Sequence, residues 1–464
     1  MTSPLSPSLL AKRDFSAKWK FEEEEGGGSS SEARPSKRIT TEICGLAGAG
    51  SGAGADEVLP SPYKAVAERT DRAASPVIVR IAEFFSGIGG IGRGFKDAAA
   101  ELEIDLEVCY ANEFNHLAAD TYELNAFPEA TCSLHVNGSS GRPERIISGV
   151  KPSQGSDPDL LKIAQKIKKI TLDRRSVKPF VDRRDVTTID MKTDPLVPSD
   201  IDIIVAGLPC QDFSYAGERA GIDGKRGSLY KCFAKVLKEK QPKYFLVENV
   251  QGILNHGGDT IIKPAFEAAG YYVSVHTIVF ADFGVPQLRR RVLFIGIRND
   301  LSSRVKFAMP HPTHGQGKLR SRPYVTAEEA LKSVHTYVFN SVIPVIKKQS
   351  CLDLLNTVPE GGRVPGVDGK EGRKFRRIDR AKPFKTITGV NHGNGALHHW
   401  KDPRPLSDRE TAIAQSLESF AFCGPKHDVA LQIGNAVPPL GIKPVAKVLL
   451  ELFVKSVPAS DVPH

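Results

Sequence analysis

The residue best suited to chemistry in this sequence is Cys210, within the segment GLPCQDFSYAG that runs from Gly207 to Gly217. The cysteine directly follows a proline at the end of an apolar run, and polar and small residues come after it. A thiolate is a strong nucleophile, but a free cysteine is mostly protonated near neutral pH, so its surroundings must activate it. The segment therefore predicts a nucleophilic cysteine at a strand end.

Three further side chains are suited to assist such a nucleophile. Glu248 follows the apolar run in FLVENV, where burial would favour a protonated carboxylic acid that can donate a proton. Gln287, Arg289 and Arg291 alternate along QLRRRVLFIG, so in one strand they would point to the same face and Arg290 to the other. Two guanidinium groups on one face would stabilise developing negative charge.

A glycine-rich turn indicates a binding site for a small ligand. The segment EFFSGIGGIGRGF starts at Glu83, follows a predicted strand and opens a predicted helix. Glycines let the backbone approach a ligand closely, and a helix N-terminus favours a negatively charged group. By itself, this turn fits a dinucleotide equally well.

These segments, together with QIGNAVPP from Gln432, resemble the DNA cytosine-5 methyltransferase family. The motifs occur in the family's order from about Val77 to about Val454, and this order is more specific than any single motif. The motif set resembles the bacterial type, preceded by a tail like that of eukaryotic members.

The resemblance implies a covalent mechanism. Cys210 would add to C6 of cytosine, which makes C5 able to attack the methyl group of S-adenosylmethionine. Glu248 would hydrogen-bond the N3 and amino edge of the base, Asn249 would hold the loop geometry, and Arg289 and Arg291 would orient the base carbonyl, with Arg289 the closer. Because the target atom lies inside the stack of duplex DNA, the cytosine would be flipped out of the helix.

The resemblance also implies how S-adenosylmethionine is bound. Glu113 would accept both ribose hydroxyls, since a carboxylate offers two acceptor oxygens. Asp185 would meet the adenine amino group. The other predicted cofactor residues are Phe85, Gly87, Gly89, Pro209, Asn435 and Val437.

Composition limits the remaining choices. The chain has 464 residues, 40% of them hydrophobic, and no long apolar run, so we expect a soluble intracellular monomer without a membrane partner. Its seven scattered cysteines suggest neither a zinc site nor a disulfide framework, and the net charge of +9 suits DNA. The basic run at Arg34 to Arg38 indicates the nucleus, while the Ser-rich and Lys-rich start leaves an organelle open.

Apolar β-branched runs separated by helical segments predict an α/β protein with a mostly parallel sheet. With the resemblance, this implies a Rossmann-like S-adenosylmethionine-dependent methyltransferase fold plus a small target-recognition region. The predicted parts are a disordered tail at 1–76, a catalytic domain at 77–298 with an insertion at about 135–180, a target-recognition region at 299–380, and a C-terminal segment at 381–456 that returns to the catalytic domain.

The target-recognition region is compact for the family. Its basic cluster suits phosphates, which position DNA without specifying sequence, so we expect a short or relaxed target such as CpG. The cluster comprises Lys370, Arg373, Lys374, Arg376 and Arg377.

Two alternatives stay open at this stage. A small recognition region also resembles the tRNA-methylating branch of the family, although the Cys-Phe-Thr tripeptide of that branch is absent from PCQDFSYAGERAG. A catalytically inactive DNA-binding regulatory homologue would have lost the nucleophile, the acid or the arginines, and all of these residues are present.

Overall fold

The structure is a computed structural model that describes residues 78–126, 181–209, 229–317, 322–332, 343–365, 371–389 and 397–456. The predicted tail at 1–76, the predicted insertion at about 135–180 and Cys210 lie outside the described residues. Within these ranges, strands and helices alternate through the first half of the chain, as the apolar pattern predicts.

Strands and helices are numbered in chain order within the described ranges. The strands are β1 (Ile78–Phe84), β2 (Asp105–Asn112), β3 (Val181–Asp182), β4 (Ile203–Gly207), β5 (Tyr244–Val250), β6 (Tyr271–Val279), β7 (Gln287–Leu288), β8 (Arg290–Arg298), β9 (Arg363–Pro365), β10 (Glu371–Arg377), β11 (Phe384–Lys385) and β12 (Leu397–His398). The α-helices are α1 (Gly90–Glu101), α2 (His116–Ala126), α3 (Leu229–Lys240), α4 (Lys263–Glu267), α5 (Ala327–Leu331), α6 (Gln349–Asn356), α7 (Asp408–Ala414), α8 (Lys426–Asn435) and α9 (Pro439–Ser456).

Seven of the described strands form one sheet in the order β3-β2-β1-β4-β5-β8-β6. In this order, each neighbouring pair among β3, β2, β1, β4 and β5 is parallel, whereas β8 runs antiparallel to its neighbours β5 and β6. The predicted mostly parallel α/β sheet is thus confirmed. After β1 the chain continues to β2 on one side of the sheet, and after β4 it continues to β5 on the other side. The gap between β1 and β4 is therefore a topological switch point, where α/β sheets bind ligands.

Alternate residues of the central strands pack against helices on the two faces of the sheet. On one face, Ile81 of β1 shares a core with Phe95 of α1 and Leu449 of α9. On the other face, Phe245 of β5 packs edge-on against Phe233 of α3, with ring centroids 6.1 Å apart. Burial on both faces explains why these strands are apolar almost throughout.

The strand through QLRRR is interrupted. Gln287 and Leu288 form β7, which pairs with β11 in a separate two-stranded sheet, and β8 of the main sheet begins at Arg290. The prediction of one continuous strand is therefore wrong, because pairing with β11 draws β7 away from the main sheet. Burial still alternates, since Gln287 and Arg289 are buried while Leu288 and Arg290 are exposed.

The C-terminal helix α9 packs against α1. A side chain at Gly94 of α1 would overlap Ile442 of α9, so the two helices approach closely there. Lys443 forms an ion pair with Glu101 at 2.6 Å beside this contact. No helix in the described ranges is long and apolar enough to cross a membrane.

One residue of the predicted phosphate-binding cluster, Arg377, is buried in the fold. Lys370 and the side chains of Arg373 and Lys374 lie outside the described residues. Arg377 is buried and donates hydrogen bonds to several backbone carbonyl groups, including that of Leu355. The prediction that Arg377 contacts DNA phosphates is wrong, because its guanidinium group holds neighbouring loops together.

Candidate active site

A cavity of about 560 Å³ lies at the carboxyl ends of β1, β2, β4 and β5. Cys210 lies outside the described residues, but Pro209 before it contacts the cavity. Gly89 packs against the ring of Tyr122 instead. The predicted site residues that line the cavity are Phe85, Gly87, Glu113, Asp185, Pro209, Glu248, Arg289, Arg291, Asn435 and Val437.

The glycine-rich turn after β1 is tied to the end of β2 through Glu113. The amide of Gly87 donates to Glu113 Oε2 at 2.8 Å, and the amide of Asn115 donates to Oε1 at 2.7 Å. Burial raises the pKa of Glu113, while these two hydrogen bonds act in the opposite direction. Phe85 and Gly87 both have left-handed φ angles, of 50° and 56°, and for a bulky residue such as Phe85 this strain is typical of ligand sites.

The N-terminus of α1 is capped by a residue of the sheet. Gly89 at the N-cap has no side chain, and Glu83 of β1 accepts the amide of Gly92 at 3.0 Å instead. Glu83 also accepts a hydrogen bond from the hydroxyl of Tyr122. Burial raises the pKa of Glu83 to about 7. The helix that borders the cavity thus depends on a buried carboxyl group.

The turn that carries Asp185 is fastened to β2. Asn112 donates to the carbonyl groups of Asp182 and Arg184, each at 3.0 Å. Asp185 Oδ1 accepts the amide of Thr187 at 2.9 Å and so caps the following 3-10 turn. Among the described residues, Oδ2 accepts no hydrogen bond, so it is available to a donor on a ligand.

Phe114 lines the cavity beside Glu113, and the sequence reasoning missed it. Its side chain is 66% exposed, which is unusual for a phenylalanine. An exposed ring at a cavity wall offers a flat apolar surface to a planar ligand group. An aromatic residue directly after the predicted ribose-binding acid was the signal available in the sequence.

Glu248 and Arg291 form an ion pair at the other end of the cavity. Arg291 Nε lies 2.8 Å from Glu248 Oε1, and both side chains are largely buried. The two residues are brought together by the antiparallel pairing of β5 with β8. Asn249 donates to the carbonyl of Leu208 at 3.4 Å, so it holds the loop that leads to Pro209, as expected.

Arg289 has different partners from Arg291. Its guanidinium group is buried and donates to the carbonyls of Ile387 at 2.9 Å, Gly434 at 3.1 Å and Ala436 at 3.0 Å. Which of the two lies closer to the base stays a prediction, but it is Arg291 and not Arg289 that reaches Glu248. The reason is that β7 and β8 are separate strands, with Arg289 at the junction.

The cavity has features that fit S-adenosylmethionine. Ser86 Oγ is buried at the wall and has no hydrogen-bond partner among the described residues, so it needs a polar ligand atom or water. A Cβ atom at Gly90 would overlap the carbonyl of Val437, so the C-terminal segment closes directly on the glycine-rich turn. Acidic acceptors, an exposed ring and an unsatisfied hydroxyl match the ribose, adenine and polar methionine groups of this cofactor.

Comparisons with known proteins identify the family. Residues 164–451 match the model of the C-5 cytosine-specific DNA methylase family. The chain is 33% identical over 387 residues to the Type II methyltransferase M.NgoFVII of Neisseria gonorrhoeae, across 81% of this chain and 87% of that protein. The chain belongs to the C-5 cytosine-specific DNA methylase family. It is a DNA cytosine-5 methyltransferase, as the sequence motifs predicted, and this family uses S-adenosylmethionine as methyl donor.

Other relatives of this DNA cytosine-5 methyltransferase agree. It is 28% identical over 400 residues to the Type II methyltransferase M.BbvI of Brevibacillus brevis, across 81% of this chain and 92% of that protein. Among solved structures, one described as a DNA modification methyltransferase from an E. coli prophage has a TM-score of 0.54 at 18% identity, across 81% of this chain and 99% of that chain. At this identity, the likeness shows the shared Rossmann-like fold.

Proposed function

We propose that the chain methylates C5 of cytosine in duplex DNA through a covalent bond between Cys210 and C6, with the target cytosine flipped into the cavity. The observation that carries this proposal is the Glu248–Arg291 ion pair, which lies at the same cavity as Pro209, next to Cys210 in the chain. An acid and a guanidinium group in the cavity that Pro209 borders suit a reaction in which negative charge develops on a heterocyclic base.

The first step joins the Cys210 thiolate to C6 of cytosine. In the free enzyme Glu248 is the carboxylate partner of Arg291, and it takes up a proton from solvent as the base enters. As the S–C6 bond forms, the electron pair of the C5–C6 double bond shifts to C4–C5, that of the C4–N3 double bond shifts to N3, and Glu248 gives its proton to N3. Arg291 then donates to the base carbonyl and keeps the Glu248 side chain oriented. Because Arg291 Nε already lies 2.8 Å from Glu248, the two groups are positioned before the base arrives.

The second step forms the new carbon–carbon bond. Bound S-adenosylmethionine supplies an electrophilic methyl group, and S-adenosylhomocysteine is the leaving product. The C5 proton then departs to a base in solvent, the S–C6 bond breaks, and the thiolate of Cys210 is regenerated. Glu248 recovers its proton as the double bond between C5 and C6 reforms.

We assign the opposite end of the cavity to the cofactor. Each oxygen of Glu113 accepts one backbone amide and keeps a second lone pair for a ribose hydroxyl. Asp185 Oδ2 would accept the adenine amino group, and the ring of Phe114 would lie against the adenine. Ser86 Oγ would donate to a polar atom of the methionine part.

Methyl transfer from tritiated S-adenosylmethionine tests the substrate. We would incubate the full chain with mixed-sequence duplex DNA or, separately, with total tRNA, using Cys210→Ala and Cys351→Ala as matched variants. The expected result is label in DNA for the wild type and Cys351→Ala, and none for Cys210→Ala. Label in tRNA alone would overturn the DNA assignment, and sequencing the methylated DNA would give the target site.

A duplex containing 5-fluorocytosine tests the covalent step. Fluorine at C5 cannot leave as a proton does, so the adduct between Cys210 and C6 should persist after methyl transfer and survive denaturing electrophoresis. Cys351→Ala should form the same adduct, and Cys210→Ser should form none. Normal methylation without any trapped adduct would contradict the covalent mechanism.

Base flipping has a separate readout. Once the target is known, 2-aminopurine placed at the target position should become more fluorescent on binding, because its ring loses stacking when it leaves the duplex. The same base placed outside the target is the control. Equal fluorescence at both positions would contradict flipping.

A further inference from the structure

Arg289 donates to three backbone carbonyls of the described residues, and two of these residues, Gly434 and Ala436, line the cavity. Its guanidinium group is 1% exposed and donates to the carbonyls of Ile387, Gly434 and Ala436. A guanidinium is always charged and presents donors in a fixed planar fork, so its burial requires acceptors at set positions. The three carbonyls supply these acceptors.

Two of these carbonyls belong to the C-terminal end of α8. The last carbonyl groups of a helix have no partner inside the helix and carry partial negative charge. Gly434 lies in the last turn of α8, and Ala436 is the C-cap residue, with an extended backbone. Arg289 therefore caps α8 from a distant part of the chain and fixes the path of the backbone as it leaves the helix.

The capped segment forms one wall of the proposed cofactor end. Gly434, Asn435, Ala436 and Val437 all line the cavity. The carbonyl of Val437 lies so close to Gly90 that no Cβ would fit there, which places this wall directly against the glycine-rich turn. A shift of the α8 C-terminus would therefore change the shape of the cofactor site.

Two buried glutamines support the same turn. Gln415 Nε2 donates to the carbonyl of Ile433 at 2.7 Å, and its Oε1 accepts Gln287 Nε2 at 2.9 Å. Gln287 Oε1 accepts the amide of Ile387 at 2.8 Å. Carbonyls of Ile433, Gly434 and Ala436 are thus each held by a buried side chain.

We propose that Arg289 is a positioning residue for cofactor binding, which it controls through the Gly434–Val437 wall, and that Arg291 serves the base. This inference rests on the proposed cofactor site. It gives different roles to two arginines that stand two positions apart and that the sequence motif assigns to the same base carbonyl.

Calorimetric binding of S-adenosylhomocysteine without DNA tests the division, because no base is present. Arg289→Lys keeps the charge but loses the planar fork, so we expect its Kd to rise about tenfold or more while kcat at saturating cofactor stays within about threefold of wild type. Arg291→Lys, the matched control, should keep Kd within about twofold of wild type and lower kcat about 100-fold.

If the wild type does not bind S-adenosylhomocysteine, the cofactor site itself is wrong. If the wild type binds and Arg289→Lys binds equally well but loses kcat as Arg291→Lys does, Arg289 acts on the base and the inference is overturned.

A second variant covers the case in which Arg289→Lys shows no cooperative thermal transition. Gln415→Met removes the hydrogen bonds to Ile433 and from Gln287, while Gln287 keeps its bond to the carbonyl of Ala414 and Arg289 is unchanged. A rise in Kd of about threefold or more for S-adenosylhomocysteine, with kcat at saturation retained, supports control through the α8 C-terminus. An unchanged Kd in a folded Gln415→Met protein counts against it.

Discussion

At the proposed cofactor end of the cavity, Glu113 and Asp185 accept hydrogen bonds from backbone amides of nearby turns, whereas at the proposed base end Glu248 is paired with the side chain of Arg291. Backbone amides belong to the fold and stay in place when one side chain changes. An ion pair between two side chains is lost when either partner is replaced, and the remaining buried charge is then unpaired.

This difference matches the work that each end has to do. Cofactor binding uses many moderate contacts, so each single substitution at the cofactor end should lower the cofactor affinity only moderately. The base end must stabilise charge that appears only during the reaction, so a single substitution should lower the rate steeply.

The largest effect is expected for Glu248→Gln. The amide has nearly the same shape but cannot transfer a proton to N3, so kcat should fall by about 10²- to 10⁴-fold. The Kd for S-adenosylhomocysteine, measured by calorimetry without DNA, should stay within about twofold of wild type. A comparable loss of cofactor affinity would show that the two ends are not separate.

The next effect concerns the pH dependence of stability through Glu83, which caps α1 at the cofactor end. Its pKa is raised to about 7 in the folded protein from an ordinary 4.5, so between these values the folded state binds more protons than the unfolded state. The contribution of Glu83 to the free energy of unfolding therefore decreases as pH rises from about 4.5 to 7, by on the order of 3 kcal/mol.

Urea unfolding at pH 5 and pH 7.5 measures this contribution. In Glu83→Gln the group no longer titrates, so the decrease in unfolding free energy between the two pH values should be smaller than in wild type. Tyr122 and Lys96 face Glu83 and are unchanged in this comparison. An identical pH dependence in both proteins would show that Glu83 does not hold its proton in the folded state.

A smaller effect is expected for Phe114→Ala. Loss of the ring against the adenine should raise KM for S-adenosylmethionine about tenfold and leave kcat at saturation nearly unchanged. Tyr272→Ala is a matched control, because this aromatic residue is 54% exposed on β6 and does not line the cavity. If Phe114→Ala lowers kcat and not affinity, the ring belongs to the reacting end.

The smallest effect is expected for Arg93→Ala, on the same helix as the Glu83 contact. Arg93 forms an exposed ion pair with Asp97 at 2.8 Å, and exposed pairs of this spacing contribute only about 0.3–0.5 kcal/mol. The thermal unfolding midpoint of Arg93→Ala should lie close to that of the wild type. A change as large as that of Glu83→Gln would show that the exposed face of α1, and not its capped end, dominates the stability of this helix.

Much of the fold was predictable because its signals are local. Apolar runs and helical periods in the sequence indicate β1, α1, β4 and β5. Polar residues at the ends of such strands must meet at one edge of a parallel sheet, which is why Glu113 and Glu248 line the same cavity. The order of the motifs similarly indicated the DNA cytosine-5 methyltransferase family.

The sequence by itself determined that Glu113, Glu248 and Arg291 reach the cavity, since strand ends and the alternation within a strand fix where each residue points. Only the tertiary structure decided what they contact there. Arg289 donates to carbonyls that lie 98 to 147 positions away in the chain. A sequence does not show which backbone carbonyls a side chain will reach. Arg377 was misjudged for the same reason, because loops from distant positions surround its side chain and exclude it from DNA.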